Sequence, residues 1–206
     1  MPDQITSWDP WVYMRTRRFG RRPLILGESP SPQAPTASWF DDAKSTRNLA
    51  SVIFGAATET RMLKGSFEMR NVFETHLGRS RDGFSLFDSD CAAIRLQQAS
   101  DAGLFDDRVT FFLGLRVAAG LSRTRSYEPV LSEDSRFVAL HGWIDWLPVG
   151  GRSDALGLYL IVPHPQSYDL RYKPEDLVKL SALFRASLGL PPLDFPFRFS
   201  EAFASC

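Results

Sequence analysis

Apolar and polar positions along the chain switch between unbroken runs, period-two alternation and helical spacing, and the switches predict its elements. Pro23 to Leu26 is an apolar run closed by Gly27-Glu28-Ser29-Pro30, which reads as a buried strand ending in a tight turn. Val109 to Leu113, VTFFL, and Leu156 to Val162 are also near-continuous apolar runs, the pattern of parallel strands covered on both faces. Val72 to Leu77 alternates and predicts a further strand, closed by Gly78. Helical spacing fills the intervals. A helix beginning at Asp41 or Asp42 and running to about Ala57 aligns Leu49, Val52, Ile53 and Ala56. Ser89 to Ala102 aligns Ala92, Leu96 and Ala99, with Asp88 or Ser89 as cap and Gly103 as stop. A short helix is expected over Leu115 to Leu121. A C-terminal one over Pro174 to Leu188 turns Leu177, Leu180, Leu183, Phe184 and Leu188 inward. Ser29 to Ser38 holds three prolines and reads as a loop, as does the polar stretch from Ser122 to Arg136. Phe137 to Pro148 fits either helix or strand, and Gly150-Gly151 reads as its break.

Strands alternating with helices predict an α/β fold. The expectation is a three-layer α/β/α domain with a central four-stranded parallel sheet, its strands beginning near residues 23, 72, 109 and 157. One domain spans residues 1–206, with an N-terminal arm at 1–21 and a proline-rich tail at 190–206. No internal repeat is present.

Composition narrows the class. Hydrophobic residues make up 44% and charged residues 23%, as in ordinary globular domains, and no apolar run approaches the roughly 20 residues of a membrane span. The N-terminus lacks the basic and apolar regions of a secretory signal. Two cysteines, Cys91 and Cys206, build neither a disulfide framework nor a zinc or iron–sulfur site by themselves, so a reducing cytoplasm is the expected compartment. The 24 basic and 24 acidic side chains cancel, which argues against a nonspecific nucleic-acid coat protein. Charge placement still matters: Arg15, Arg17, Arg18, Arg21 and Arg22 crowd the entry to the first strand.

Two strand ends carry the candidate chemistry. In open α/β sheets ligands bind outside the carboxyl ends of the strands. There the first strand presents Glu28, and the last presents His164 between Pro163 and Pro165.

These turns, Gly27-Glu28-Ser29-Pro30 and His164-Pro165-Gln166-Ser167, resemble the two motifs of the uracil-DNA glycosylase superfamily, G-x-D/N/A-P after the first strand and H-P after the last. Between them VTFFLGLRVAAGL is similar to that family's third strand and following Ala-rich helix. Glu28, and the Leu170-Arg171 that follows the second motif, resemble the iron–sulfur thermophilic branch, whose cluster cysteines this chain lacks. The resemblance covers most of Pro23 to Leu188. Ser29 stands where many members carry Asp or Asn.

The resemblance implies a monofunctional DNA glycosylase of base excision repair. It would hydrolyse the N-glycosidic bond of uracil and leave an abasic site, without metal or organic cofactor, as a monomer acting on single- or double-stranded DNA. His164 would stabilise the departing base. Glu28, with Asp41 or Asp42 as alternatives, would orient water. Gly27 and Ser29 would lie against the base, Phe40 or Trp39 would stack on it, and His76 or Asn71 would read its edge. Gln166, Ser167, Tyr168, Leu170 and Arg171 would face DNA, with Tyr168 or Leu170 as the wedge and Arg171 and Lys173 on phosphates. No lysine lies in either motif, so a Schiff-base lyase step is not implied. Three other functions remain open: a glycosylase for another deaminated or damaged base, a silent member of the fold that binds nucleic acid or protein, and an unrelated small α/β hydrolase or nucleotide binder, which has the least support. The fingerprints G-x-S-x-G, G-x-x-x-x-G-K-[ST] and G-x-G-x-x-G are absent.

Overall fold

The computed structural model describes residues 14, 18–30, 43–78, 87–114, 116–117, 120, 136–139, 150–153, 157–168 and 173–193. Four strands are parallel neighbours: β1 (Leu24–Gly27), β2 (Glu68–Asn71), β3 (Val109–Leu113) and β6 (Leu158–Val162). β4 (Arg136–Ala139) and β5 (Gly150–Ser153) extend the sheet antiparallel beside β6, giving the order β2-β1-β3-β6-β5-β4. Helices α1 (Ala43–Phe54), α2 (Thr60–Ser66), α3 (Ser89–Asp101) and α4 (Pro174–Ser187) cover the two faces.

Side chains alternate across the pleat and so divide the core in two. Ile25, Val109, Phe111, Leu113, Leu158, Leu160 and Val162 face one way, into a cluster with Leu49 and Ile53 of α1, Leu63 of α2, and Leu177, Leu180 and Phe184 of α4. Phe184 there stacks on Phe111 at 4.3 Å between ring centroids, tilted by 33°. Leu24, Leu26, Phe112 and Tyr159 face the other way, onto Ala92 and Leu96 of α3 and Val117. The expected three layers are therefore present.

Chain direction explains the layering. From β1 the path crosses α1 and α2 to reach β2, then returns past β1 through α3 to reach β3. Parallel crossovers are right-handed, so opposite directions of travel place their helices on opposite faces. The reversal makes the crevice between β1 and β3 the topological switch point.

Local chemistry fixes the helix ends. Asp88 caps α3, its carboxylate accepting from the backbone N–H groups of Asp90 at 2.8 Å and Cys91 at 3.2 Å. α4 opens with Pro174 and carries Glu175 and Asp176 in its first turn, where the helix dipole favours carboxylates. Arg185 near its end is buried and donates to the carbonyls of Ile53, at 2.8 Å, and Pro191, joining α1 to the chain beyond α4. Burial lowers the pKa of this guanidinium.

Two expectations are corrected. The second strand is Glu68–Asn71 rather than Val72 to Leu77. Its four residues are only partly buried or exposed, because β2 has one sheet neighbour, so it lacks the apolar run of an inner strand. Val72 and Phe73 follow it as two consecutive buried residues whose N–H groups bond the carbonyls of Gly27 at 2.9 Å and Glu28 at 3.0 Å. Gly150 and Gly151, read as a break, belong to β5 and pair with Ala139 and Val138. A strand glycine costs about 0.5–1 kcal/mol, and backbone pairing on both sides of β5 outweighs that. With β4 and β5 the sheet exceeds the four strands expected.

The helix expected over Leu115 to Leu121 lies largely outside the described residues, and the remaining predicted helices and strands lie close to their observed bounds. β3 matches its prediction residue for residue, and α1, α3, α4, β1 and β6 shift by one to three residues. Among the described residues no helix is long and apolar enough to cross a membrane.

Candidate functional site

The carboxyl ends of β2, β1, β3 and β6 lie side by side, and each delivers one group singled out in the sequence or standing beside one. β1 delivers Glu28, partly buried one residue past Gly27. β2 ends on Asn71, which stands in register with Gly27. β3 is followed by Gly114, and β6 by Pro163-His164-Pro165. β1 and β6 flank β3, so the Glu28 and His164 turns leave the sheet about two strand spacings, or about 10 Å, apart.

Glycine floors that gap. Gly114 has φ +85°, a left-handed conformation strained for any residue with a side chain, and donates its N–H to the Val162 carbonyl at 2.7 Å. A Cβ placed on it would stand 3.4 Å from His164 Cβ, so the histidine packs directly over this backbone. Two residues on, Arg116 extends across the switch point. Its Nη1 lies 3.4 Å from each carboxylate oxygen of Glu28.

His164 sits in extended backbone as the cap of a 3-10 turn, Pro165–Ser167. The Gln166 N–H donates to His164 Nδ1 at 3.4 Å. In the neutral imidazole that assigns the ring proton to Nε2, making Nε2 a donor. The turn is also held from below. Asn48 of α1, buried, donates its amide to the Pro165 carbonyl at 2.8 Å, and the Tyr168 hydroxyl donates to the Pro163 carbonyl at 3.0 Å.

The two candidate edge-readers separate clearly. Asn71 occupies the strand end, and its side-chain oxygen Oδ1 is buried without a hydrogen-bond partner. His76 lies five residues past β2, where its Nδ1 meets the Pro30 carbonyl at 2.9 Å and ties the end of the first turn to the chain after β2. A buried acceptor left unpaired costs about 1–3 kcal/mol, so the Asn71 oxygen carries an unmet demand for a donor.

Tyr168, expected as a wedge facing DNA, is corrected. Its ring is fully buried in the core beneath the sheet with Val162 and Leu177, so no face of it meets a base stack. An aromatic with a hydroxyl finds its place where an apolar body and a buried carbonyl coincide, and the Pro163 carbonyl supplies the second. Gln166 is exposed beside His164, Ser29 is half-buried, and Lys173 is exposed as the cap of α4. Trp39, Phe40, Asp41, Asp42, Leu170, Arg171 and the Ser167 side chain lie outside the described residues.

Asn48, Gly114 and Arg116 went unremarked as site residues in the sequence. Gly114 carried a signal, a glycine directly after an apolar strand. Asn48 and Arg116 carried none, since each sits in a segment whose only readable feature is its apolar spacing. Among the described residues no cluster of three or more His, Cys, Asp or Glu side chains is arranged to hold a metal ion.

No family model matches the chain, and neither does any curated protein sequence.

Proposed function

We propose that the protein is a monofunctional DNA glycosylase that hydrolyses the N-glycosidic bond of uracil in DNA. The observation that carries this reading is the placement of the Gly27-Glu28 and His164-Pro165 turns at the carboxyl ends of the two parallel strands that flank β3, either side of the bare backbone of Gly114. The four-stranded parallel order β2-β1-β3-β6, with helices on both faces, is in keeping with a uracil-DNA glycosylase-like fold.

In this reading the target nucleotide leaves the duplex, because its glycosidic bond is out of reach inside the stack. The base enters the gap between the two turns. As the bond from C1′ to the ring nitrogen breaks, the electron pair goes to the base and the sugar gains oxocarbenium character. His164 donates from Nε2 to a base carbonyl and stabilises the departing anion; a preorganised donor of this type is worth about 3–4 kcal/mol. Glu28 lies on the sugar side, favours the cation and orients the water whose hydroxyl adds to C1′. The proton released from that water balances the charge on the base, and an abasic site remains. The Asn71 amide offers an acceptor and a donor side by side. That pattern complements the imide N–H and adjacent carbonyl of uracil and mismatches the reversed edge of cytosine.

A single-turnover assay tests this. Oligonucleotides carrying one uracil, single-stranded or opposite guanine or adenine, are expected to give abasic product with wild type, and His164→Ala to lose at least about 100-fold in rate. Intact uracil strands after prolonged incubation with wild type would sink the proposal.

A second reading draws on Glu28. Both of its oxygens face Arg116, an engagement suited to a member of the fold that binds nucleic acid without cutting it. Binding of the same oligonucleotides with no base release, unchanged by Glu28→Gln, would select it; release of a different base from a panel of modified strands would select another glycosylase specificity.

A further inference from the structure

We infer that Asn48 and Tyr168 are positioning residues that hold the His164 imidazole in one orientation and one tautomer. The kinetic consequence rests on the glycosylase reading; the orientation of the ring does not.

The backbone around His164 has little means of fixing itself. Pro163 and Pro165 set φ at about −65° but have no N–H to donate, so the turn relies on the 3-10 bond from the Tyr168 backbone N–H to the Pro165 carbonyl. The carbonyls of the two prolines each accept from a core side chain as well. Tyr168 Oη donates to the Pro163 carbonyl at 3.0 Å, and Asn48 Nδ2 donates to the Pro165 carbonyl at 2.8 Å. Both donors are buried: Asn48 is 6% exposed and Tyr168 0%. They reach the turn from different elements, one from α1 on the sheet face and one from the chain just after the turn. Together they hold the planes of the Pro163–His164 and Pro165–Gln166 peptides.

The ring is then constrained from two further sides. Gly114 lies under its Cβ, and the Gln166 N–H points at Nδ1. The Gln166 N–H belongs to the same peptide group as the Pro165 carbonyl. Rotating that peptide, which Asn48 and the Tyr168 backbone N–H both oppose, would carry the N–H away from Nδ1 and remove the bond that selects the Nε2–H tautomer. Asn48 thus acts on the imidazole through one shared peptide plane. Tyr168 acts through the peptide that joins Pro163 to His164.

The test reads the ring directly. The chain has three histidines, so the imidazole nitrogen resonances of uniformly nitrogen-15-labelled protein can be assigned with a His164→Ala control. Wild type is expected to show a neutral His164 ring with Nε2 protonated and Nδ1 accepting a hydrogen bond. Tyr168→Phe, which deletes one hydroxyl, and Asn48→Asp, which replaces the donor by an acceptor, are expected to shift the Nδ1 resonance or mix the tautomers. On uracil strands the same variants should lose about 10- to 100-fold in single-turnover rate with oligonucleotide affinity within about threefold, the signature of a misplaced group rather than a lost contact. If Asn48→Asp does not fold, Tyr168→Phe decides the matter alone. His164 resonances identical to wild type in the folded variants would overturn the inference, and a change in one variant only would confine the role to that residue. Failure of wild type to release uracil would remove the proposed function and leave the resonance test standing.

Discussion

Arg116 Nη1 lies 3.4 Å from both carboxylate oxygens of Glu28, so the ends of β1 and β3 are joined by an ion pair across the switch-point crevice. The arginine side chain is half exposed and the distance is long for a bidentate pair, so little stability depends on it. Arg116→Ala is therefore expected to leave the thermal midpoint within a few degrees. Glu28→Gln is expected to leave it equally unmoved while lowering the single-turnover rate by about 100-fold or more, the range of a positioned acid–base group. Equal rates for wild type and Glu28→Gln would remove Glu28 from the chemistry.

Stability and activity should move in opposite directions at Asn71. Its buried Oδ1 has no partner in the free protein. Asn71→Leu removes that uncompensated acceptor and is expected to raise the denaturant midpoint or leave it unchanged, since the penalty of such a group is about 1–3 kcal/mol. The same substitution should abolish discrimination of uracil and cut its release by at least about 100-fold. Chemical denaturation and the single-turnover assay on one preparation check both signs, and a destabilised but fully active variant would contradict the assignment.

Gly114 admits no side chain without consequence. Its φ of +85° costs an L-residue about 1–2 kcal/mol, and the added Cβ would sit in van der Waals contact with His164 at 3.4 Å. Gly114→Ala is expected to lower stability by about that amount and to reduce the rate more than a merely destabilising substitution does. The comparison is with a core variant of matched stability, such as Val162→Ala, assayed well below both midpoints.

A different ion pair sets the acid limit of the fold. Glu68 and Arg108 meet at 2.6 Å at the amino ends of β2 and β3, remote from the candidate site, and the Arg108 side chain is only 2% exposed. Partial burial pushes the Glu68 pKa up, but hydrogen bonds and charges from Arg108, and then Arg70, outweigh it and hold the carboxyl below its ordinary value. A carboxylate with a depressed folded-state pKa contributes stability that is present above its unfolded value, about 4.3, and is lost as pH falls through the folded value. Glu68→Gln should flatten the fall in urea midpoint between neutral pH and pH 3. Arg108→Ala, which leaves the carboxylate paired only with the more exposed Arg70, should cost about 1–3 kcal/mol at neutral pH without changing the rate per folded molecule.

How much of this was readable beforehand depended on where the information lies. Phe111, Phe112 and their neighbours are buried on both faces, and a run with no polar interruption announces such a strand. Asp88 announces its helix because a cap acts over two or three residues. Glu28 and His164 were legible because each follows an apolar run with turn residues. Glu68–Asn71 was missed because a partly exposed strand has no run to show. Gly150 and Gly151 were misread because their pairing uses backbone alone. The support beneath His164 had no local trace at all: Asn48 and Pro165 are 117 positions apart, and only the packing of α1 against the sheet brings them together. Tyr168 shows the converse error, where a polar neighbourhood in sequence suggested exposure and the fold turned the ring inward.

The partly exposed character of β2 has a consequence for behaviour in concentrated solution. A sheet margin offers unpaired backbone groups to any extended segment of another molecule, and natural sheets guard such margins with charge. Here Glu68 and Arg70 face each other at 2.7 Å along that margin, with 56% of the Arg70 side chain in water. An incoming strand would have to dehydrate both ions to zip onto β2. The outermost strand of the parallel core is thereby a poor template for fibrillar growth, and neutralising it with Glu68→Val and Arg70→Val together would open a route to self-association that the native chain keeps closed.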